Sequence, residues 1–361
     1  MTANATEWRE LRVDGHRLWQ RLEALGEIGS VLGPNGERGC ARLALTDADR
    51  EGRDLVVSWM ADLGLHVDVD AIGNVVATRA GSDPTAGAVM MGSHIDTVRT
   101  GGRFDGNLGV LAGLEILEAL AQHDVTTRRP IQVAFFTDEE GARFAPDMLG
   151  SLVYVGGLAV EEALDVTAAD NGARLGDELT RIGYAGPTPV PAAAFPHAYA
   201  ELHIEQGPVL EDEGVTIGVV TGVQGISWTE VTVTGQSAHA GTTPMQLRHD
   251  AMAVAARIIQ EVRDVAGRLG APQVATVGMV DVTPNLVNVV PSKVVFSIDL
   301  RNTDESTLKE AEAEVFAASR AYAEEEGCAI SMRSLARFEP VEFDDGMIDL
   351  VEATANRLGH S

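Results

Sequence analysis

Three consecutive stretches constrain this chain more than any other feature. AVMMGSH (residues 88–94) is a short, continuous apolar run, LGVLAGLEILEAL (108–120) follows it, and IQVAFFTD (131–138) is a second short apolar run. The outer two are too short for buried helices and lack polar alternation, the pattern of strands buried on both faces. The middle one repeats leucine at 108, 111, 114, 117 and 120, which predicts a helix with its apolar face turned inward. Strand, helix and strand in this order predict an α/β fold: a three-layer domain with a central, mostly parallel sheet.

The flanking segments extend the pattern. TDADREGRDLVVSWMADLGL reads as a helix opened by Thr46, with Asp49 three residues on, and closed by Gly64. HVDVDAIGNVVATRAG alternates on either side of Gly73-Asn74, as a hairpin does. AYAELHIEQG (198–207) reads as a third buried strand, carrying His203 and Glu205. Near Gly225 the pattern changes. GISWTEVTVTG, HDAMAVAARIIQEVRDVAGRLG, QVATVGMVDV, SKVVFSIDLRN, DESTLKEAEAEVFAASRAYAEEEG and AISMRSLARFEP follow in turn. They predict a β-α-β-β-α-β module of two layers. The expected domains are therefore a first part of the α/β domain at 1–217, an inserted module at 218–338, and a return to the α/β domain at 339–361 through the helix-like DDGMIDLVEATANRLG.

Composition narrows the function. The 361 residues hold 54 acidic and 27 basic side chains, a formal charge of −27 spread along the chain. Such a field repels phosphate backbones, so no nucleic-acid partner is expected. No apolar run reaches the ~18 residues that span a bilayer, so no membrane partner is expected either. The start MTANATEWRELRVDG lacks the basic and apolar regions of a secretion signal, and the expected location is the cytoplasm. Cys40 and Cys328 are isolated and read as reduced core thiols.

The chemistry gathers where the strands end, the place where open α/β sheets bind ligands. His94 ends the first strand, with Asp96 two residues on and Asp105 in a Phe-Asp-Gly turn before the helix. Asp138, Glu139 and Glu140 end the next strand. Adjacent carboxylates at a buried strand end repel one another and lose hydration, which is costly unless cations neutralise them. A lone strand histidine is more often a hydrogen-bonded core residue than a ligand. Several such positions at strand ends reverse that preference. A mixed histidine and carboxylate set suits a divalent ion of the zinc or manganese type better than calcium or magnesium.

The motifs GSHIDTV, GGRFDGNLGVLAGLE, FTDEEGARF, ELHIEQGPVLE, GQSAHAGTTPM and PNLVNVVP with DLRN resemble those of the hydantoinase/carbamoylase amidases. These form a branch of the aminoacylase and carboxypeptidase-like co-catalytic metallohydrolases. The similarity runs from about Gly39 to Arg301. It implies two divalent metal ions per subunit, Zn²⁺ or Mn²⁺, with Co²⁺ and Ni²⁺ as substitutes. His94 and His203 would bind one ion, Asp105 would bridge the pair, and Glu140 would bind the second. Glu139 would be the general base, and Asp96 would hold the His94 ring. The inserted module would act as a lid and dimerisation domain of a homodimer. His239 would polarise the substrate carbonyl, Asn288 and Arg301 would grip the substrate carboxylate, and Gln206 would contact its ureido end.

The implied reaction is hydrolysis of a small ureido acid: an N-carbamoyl-L-amino acid to the amino acid, ammonia and carbon dioxide. Allantoate and N-carbamoyl-β-alanine are the near alternatives, and a truncated, non-catalytic remnant is the alternative of another class. Two departures from the family pattern stand out. Arg99 follows HIDTV where proline is common. The family also continues beyond LGHS into segments that carry a further histidine for the second ion, and His360 matches neither of them. A C-terminal part of the catalytic domain is therefore expected to be missing, with the second ion held only by Glu140 and Asp105.

Overall fold

A computed structural model describes residues 11–360. Compactness divides the chain between Gly207 and Pro208 into two units. The sequence pattern places that boundary after residue 217, and residues 339–360 group with the second unit.

The first unit runs α1 (Gly15–Glu27), β1 (Ser30–Leu32), β2 (Arg38–Cys40), α2 (Asp47–Asp62), β3 (His66–Val69), β4 (Val75–Arg79), β5 (Val89–His94), α3 (Asn107–Gln122), β6 (Ile131–Phe136), α4 (Leu149–Tyr154), α5 (Val160–Asp165), α6 (Leu175–Ile182) and β7 (Ala198–Ala200). The expected helix after Thr46 forms as α2, and the Thr46 hydroxyl accepts the Asp49 N–H. The expected hairpin forms as β3 and β4, turning at Gly73 with φ +83°.

The main sheet has the order β3-β4-β6-β5-β7. β5 pairs in parallel with β6 and β7, while β4 pairs antiparallel with β3 and β6. The sheet is thus mixed where the sequence predicts a mostly parallel one, because the β3–β4 hairpin adds an antiparallel edge. The predicted three layers are also unevenly realised. Val75, Ala77, Val133 and Phe135 face a large core shared with α1, α2 and α3. The opposite face carries only a small cluster of Met90, Ala134 and Phe136, backed by Val76 and by Tyr154 at the end of α4. The predicted third strand is curtailed to Ala198–Ala200 and is largely exposed, so His203 and Glu205 lie beyond a strand end.

The second unit runs α7 (Val209–Glu213), β8 (Gly222–Val223), β9 (Gly225–Thr234), β10 (Ala238–His239), α8 (Ala251–Leu269), β11 (Val274–Thr276), β12 (Val280–Thr283), β13 (Val289–Val290), β14 (Lys293–Asn302), α9 (Glu305–Glu326), β15 (Ala329–Phe338), β16 (Val341–Glu342) and α10 (Asp345–Arg357). Its antiparallel sheet has the order β11-β14-β9-β15, with β12 also on β14. The predicted strand-helix alternation is present, with QVATVGMVDV broken into β11 and β12. Residues 231 and 233 of β9 and 294, 296, 298 and 300 of β14 pack against α8 and α9, and the alternate residues form the other face. Asp250 and Asp304 cap the two helices by accepting backbone N–H groups of their first turns. Val341 pairs with Val223, which ties the segment after β15 to this unit. No described helix is long and apolar enough to cross a membrane.

Helix α3 sits close on the sheet because Gly109 and Gly113 present no side chain there. A Cβ on Gly109 would lie 2.7 Å from the Leu202 carbonyl oxygen and 3.1 Å from that of Gly92, and one on Gly113 would meet Val133 at 3.0 Å. Backbone oxygens cannot rotate away as a flexible side chain can. Gly109→Ala is therefore expected to destabilise the protein by about 1–3 kcal/mol, even though alanine favours a helix over glycine by ~1 kcal/mol. Urea unfolding measures this, and a variant as stable as the parent would show that α3 can slide.

Candidate metal centre

Strand β5 delivers His94 to the sheet end with 1 % exposure. Its Nδ1 lies 2.9 Å from the Asp96 carbonyl oxygen, which can only accept, so Nδ1 carries a proton and Nε2 is the nitrogen left to face a ligand. Nε2 lies 3.7 Å from Asp105 Oδ1 and 3.5 Å from Glu139 Oε2. The chain returns to the same point at Gly106, with φ +65°, and a Cβ there would stand 2.5 Å from the His94 ring. Only a residue without a side chain lets Asp105 approach the histidine in this way.

Asp105 Oδ1 also lies 3.2 Å from Nε2 of His203, whose Nδ1 is held by the Ile204 carbonyl at 2.7 Å. Gln206 Nε2 donates to Asp105 Oδ2 at 2.8 Å. One carboxylate oxygen therefore faces two imidazole nitrogens, and the ligand atoms of His94, Asp105 and His203 lie within 4.8 Å of one another. His94 Nε2 and Asp105 Oδ1 are buried and have no hydrogen-bond partner. Buried polar atoms without partners are rare, and an ion would satisfy both. Two imidazole nitrogens and a carboxylate oxygen fit a divalent ion of the zinc or manganese type.

Electrostatics bind the trio together. Burial pulls the His94 pKa down, but Asp105, Asp96 and Glu139 outweigh it and raise it to about 10. Asp105 likewise raises His203 to about 9. Burial lifts Asp105, yet His203, His94 and Gln206 hold it well below the usual carboxylate range. An ion bound by these atoms must displace imidazole protons. Burial raises Glu139 to about 7, against the pull of His94, and raises Glu140 as well.

Asp96 makes two separate contacts. Its main-chain carbonyl holds the His94 ring, while its carboxylate stands 3.9 Å from Nδ1. That carboxylate instead faces the backbone N–H groups of Glu139 and Glu140, both at 3.3 Å. It braces the turn that carries Glu139 and Glu140. Sequence inspection missed several other groups in this unit. Arg53 pairs with Asp49 at 2.8 Å and donates to the Gly73 carbonyl and to Thr137 Oγ1, steadying the approach to Glu139. The i,i+4 spacing of Asp49 and Arg53 was the available signal. Ser93 and Tyr199 both donate to Glu201, at 2.5 and 2.7 Å, in the wall of a cavity of about 540 Å³ that Glu139 also lines.

The remaining sequence-predicted residues lie in the second unit. His239 and Asn288 come together where β10 pairs with β13, the Ala240 N–H donating to the Asn288 carbonyl. His239 Nδ1 accepts the Gly241 N–H at 3.1 Å. Arg301 and Asp299 lie on the sheet face away from the helices. Asp299 takes the Nε and Nη2 edge of Arg301 at 3.0–3.2 Å, and the guanidinium sits 5.7 Å from the Trp228 ring.

Fold and site together define a two-unit α/β protein with a His-Asp-His group that could hold a metal ion. The model of peptidase family M20/M25/M40 matches residues 90–361. An N-carbamoyl-L-amino-acid amidohydrolase of Rhizobium meliloti is 44% identical over 351 residues, covering 97% of this chain and 83% of that protein. Allantoate deiminase 1 of Glycine max is 34% identical over 316 residues, 79% of this chain and 64% of that one. The crystal structure of a hydantoinase/carbamoylase family amidase from Burkholderia multivorans superposes with a TM-score of 0.86 at 44% identity, covering 97% of this chain and 84% of that one. The chain belongs to peptidase family M20/M25/M40, in its hydantoinase/carbamoylase amidase branch.

Asp138 shows how the centre limits its own charge. It is 0 % exposed with φ +55°, and neither carboxylate oxygen has a hydrogen-bond partner. Burial first and the neighbouring Asp96 second push its pKa well above the usual range. Asp96 is raised by burial too, but His94 and two N–H groups oppose that rise. Above about pH 4 the unfolded side chain ionises while the folded one resists, so this group lowers stability as pH rises. Asp138→Asn should remove that loss. In chelator, its stability relative to the parent should grow from about pH 4 to pH 7, by no more than ~1.4 kcal/mol per pH unit. Denaturant unfolding across that range checks this; a constant difference would mean that Asp138 ionises in the folded protein.

Proposed function

We propose that this chain is a dinuclear-metal amidohydrolase that hydrolyses an N-carbamoyl-L-amino acid to the amino acid, ammonia and carbon dioxide. The observation that carries the reading is Asp105 Oδ1 set between His94 and His203, with the Glu139 carboxylate 3.5 Å from His94. His94 and His203 would hold one ion, Asp105 would bridge, and Glu140 would hold the other. Bound divalent ions polarise the ureido carbonyl and acidify an attacking water toward a pKa of ~7.

Within that scheme Glu139 takes the proton from the attacking water and returns it to the departing nitrogen. A carboxylate raised to about 7 is matched to both transfers at neutral pH. Asp96 supports it by accepting the N–H groups of Glu139 and Glu140, which fixes where the base stands. Gln206, bonded to Asp105, is placed to meet the ureido end. Substrate recognition we assign to the second unit: His239 of β10, Asn288 just before its partner strand β13, and Arg301 for the carboxylate. With one edge taken by Asp299, Arg301 keeps Nη1 for a second acceptor. On the resemblance we also assign this unit a lid and dimerisation role in a homodimer.

The 44% identity with an N-carbamoyl-L-amino-acid amidohydrolase favours that substrate over allantoate, whose deiminase is 34% identical. All these substrates combine a ureido group with a carboxylate. Ammonia release from an N-carbamoyl-L-amino acid, allantoate and N-carbamoyl-β-alanine tests the choice, with the highest kcat/KM expected for the first. Turnover of none, with no bound metal, would leave a non-catalytic remnant.

Two variants test the roles. Glu139→Gln should lower kcat by about 100-fold or more while metal content by elemental analysis stays unchanged; parallel loss of metal would make Glu139 a ligand. Arg301→Ala should lower kcat/KM by about ten-fold or more, chiefly through KM, and only for substrates with a free carboxylate. Equal loss on a carbamoyl amino acid and its amide would remove Arg301 from carboxylate recognition.

A further inference from the structure

Arg42 is fully buried, and among the described residues no carboxylate forms an ion pair with it. Its Nη1 end donates at 2.8 Å to the carbonyls of Leu25 and Ile28, at the C-terminal end of α1. Its other edge reaches the two arms of the metal centre. Nε donates to the Ile95 carbonyl, between His94 and Asp96, and Nη2 donates to Asn107 Oδ1, both at 2.8 Å. Asn107 opens α3, and its N–H bonds back to the Asp105 carbonyl at 2.7 Å. The main chain joins in: the Arg42 N–H donates to Thr97 Oγ1 and its carbonyl accepts the Thr97 N–H.

Burying a guanidinium is expensive unless its donors are matched, and a well-packed apolar residue would serve stability as well or better. What an apolar residue cannot supply is a planar fork with fixed spacing between donors. The slot is shaped for it, since a Cβ on Gly52 of α2 would stand 2.8 Å from Arg42 Cδ. We propose that Arg42 is a positioning residue for the metal centre: its Nε and Nη2 edge sets the distance between the His94 arm and the Asp105 arm, and hence the bite offered to a divalent ion. This rests on the reading of His94, Asp105 and His203 as ligands. Lysine keeps the charge but has no fork, so it cannot hold both arms at once.

The test uses the whole chain, stripped of metal and titrated with Co²⁺, and reads the dissociation constant and the visible d–d spectrum. Arg42→Lys should weaken Co²⁺ binding by about ten-fold or more and change the intensity of the d–d bands, reporting altered coordination. Val56→Ala, in the core of α2, serves as a control that loses thermal stability but keeps the Co²⁺ constant and spectrum of the parent. Asn107→Leu removes the acceptor that links Arg42 to the Asp105 arm, together with the Asn107 Nδ2 bond to the Arg103 carbonyl, and should reproduce the Arg42→Lys effect, so the inference stays testable if Arg42→Lys fails to fold. Parent-like Co²⁺ affinity and spectrum in Arg42→Lys, or in Asn107→Leu if Arg42→Lys fails to fold, would overturn the positioning role and leave Arg42 a core residue. Failure of the parent chain to bind Co²⁺ would overturn the ligand reading itself, and the inference with it.

Discussion

The attraction of one carboxylate oxygen for two imidazoles organises the first unit. Asp105 Oδ1 stands 3.7 Å from His94 Nε2 and 3.2 Å from His203 Nε2, and the three residues come from a strand end, a helix entrance and a loop beyond a short strand. To meet there, the chain must turn at Gly106 against the His94 ring, and α3 must lie close enough for Gly109 to touch the Leu202 carbonyl. The glycines and the ligands are one design. A side chain at either glycine would push apart the segments that carry the donor atoms.

The local parts of this arrangement are legible in the sequence. Apolar runs that stop at His94 and before Asp138, the Phe-Asp-Gly turn, the Thr46 cap and the Gly73 hairpin are all set by residues within a few positions of one another. The strand-helix alternation of the second unit is legible for the same reason. Pairing direction is another matter. Whether β4 joins β6 in an antiparallel or parallel sense depends on residues more than fifty positions apart, and no local pattern encodes it. AYAELHIEQG reads as a strand because its composition suits one, yet only Ala198–Ala200 finds a partner and Leu202 is exposed. What holds His203 is its Nδ1 contact with the neighbouring Ile204 carbonyl, not a ladder.

Asp96 marks the resolution limit of such reading. The family resemblance assigns it a supporting role, but does not say whether the carbonyl or the carboxylate does the supporting. Here the two groups divide the work, the carbonyl on the ring and the carboxylate on the Glu139–Glu140 turn. Arg42 was illegible for a related reason, and so was Arg53 in all but its i,i+4 spacing from Asp49. A charged residue in a polar stretch normally reads as surface, and only the tertiary structure shows carbonyls and amides from distant segments converging on each guanidinium.

Charge economy connects these observations. Asp96, Asp105, Asp138, Glu139 and Glu140 crowd one sheet end, and five full negative charges at low dielectric would repel one another strongly. The structure disperses them by different means. Burial raises them all; His203, His94 and Gln206 nonetheless hold Asp105 well below the usual carboxylate range, His94 and two N–H groups oppose the rise of Asp96, Asp138 is pushed well above that range, and Glu139 reaches about 7. Asp105 is the carboxylate on which two imidazole nitrogens converge, and a divalent ion there would take the place of the imidazole protons. The same gradation leaves Glu139 free to exchange a proton beside it. One strand end therefore holds carboxylates of very different proton affinity from the same residue type, distinguished only by what each one touches.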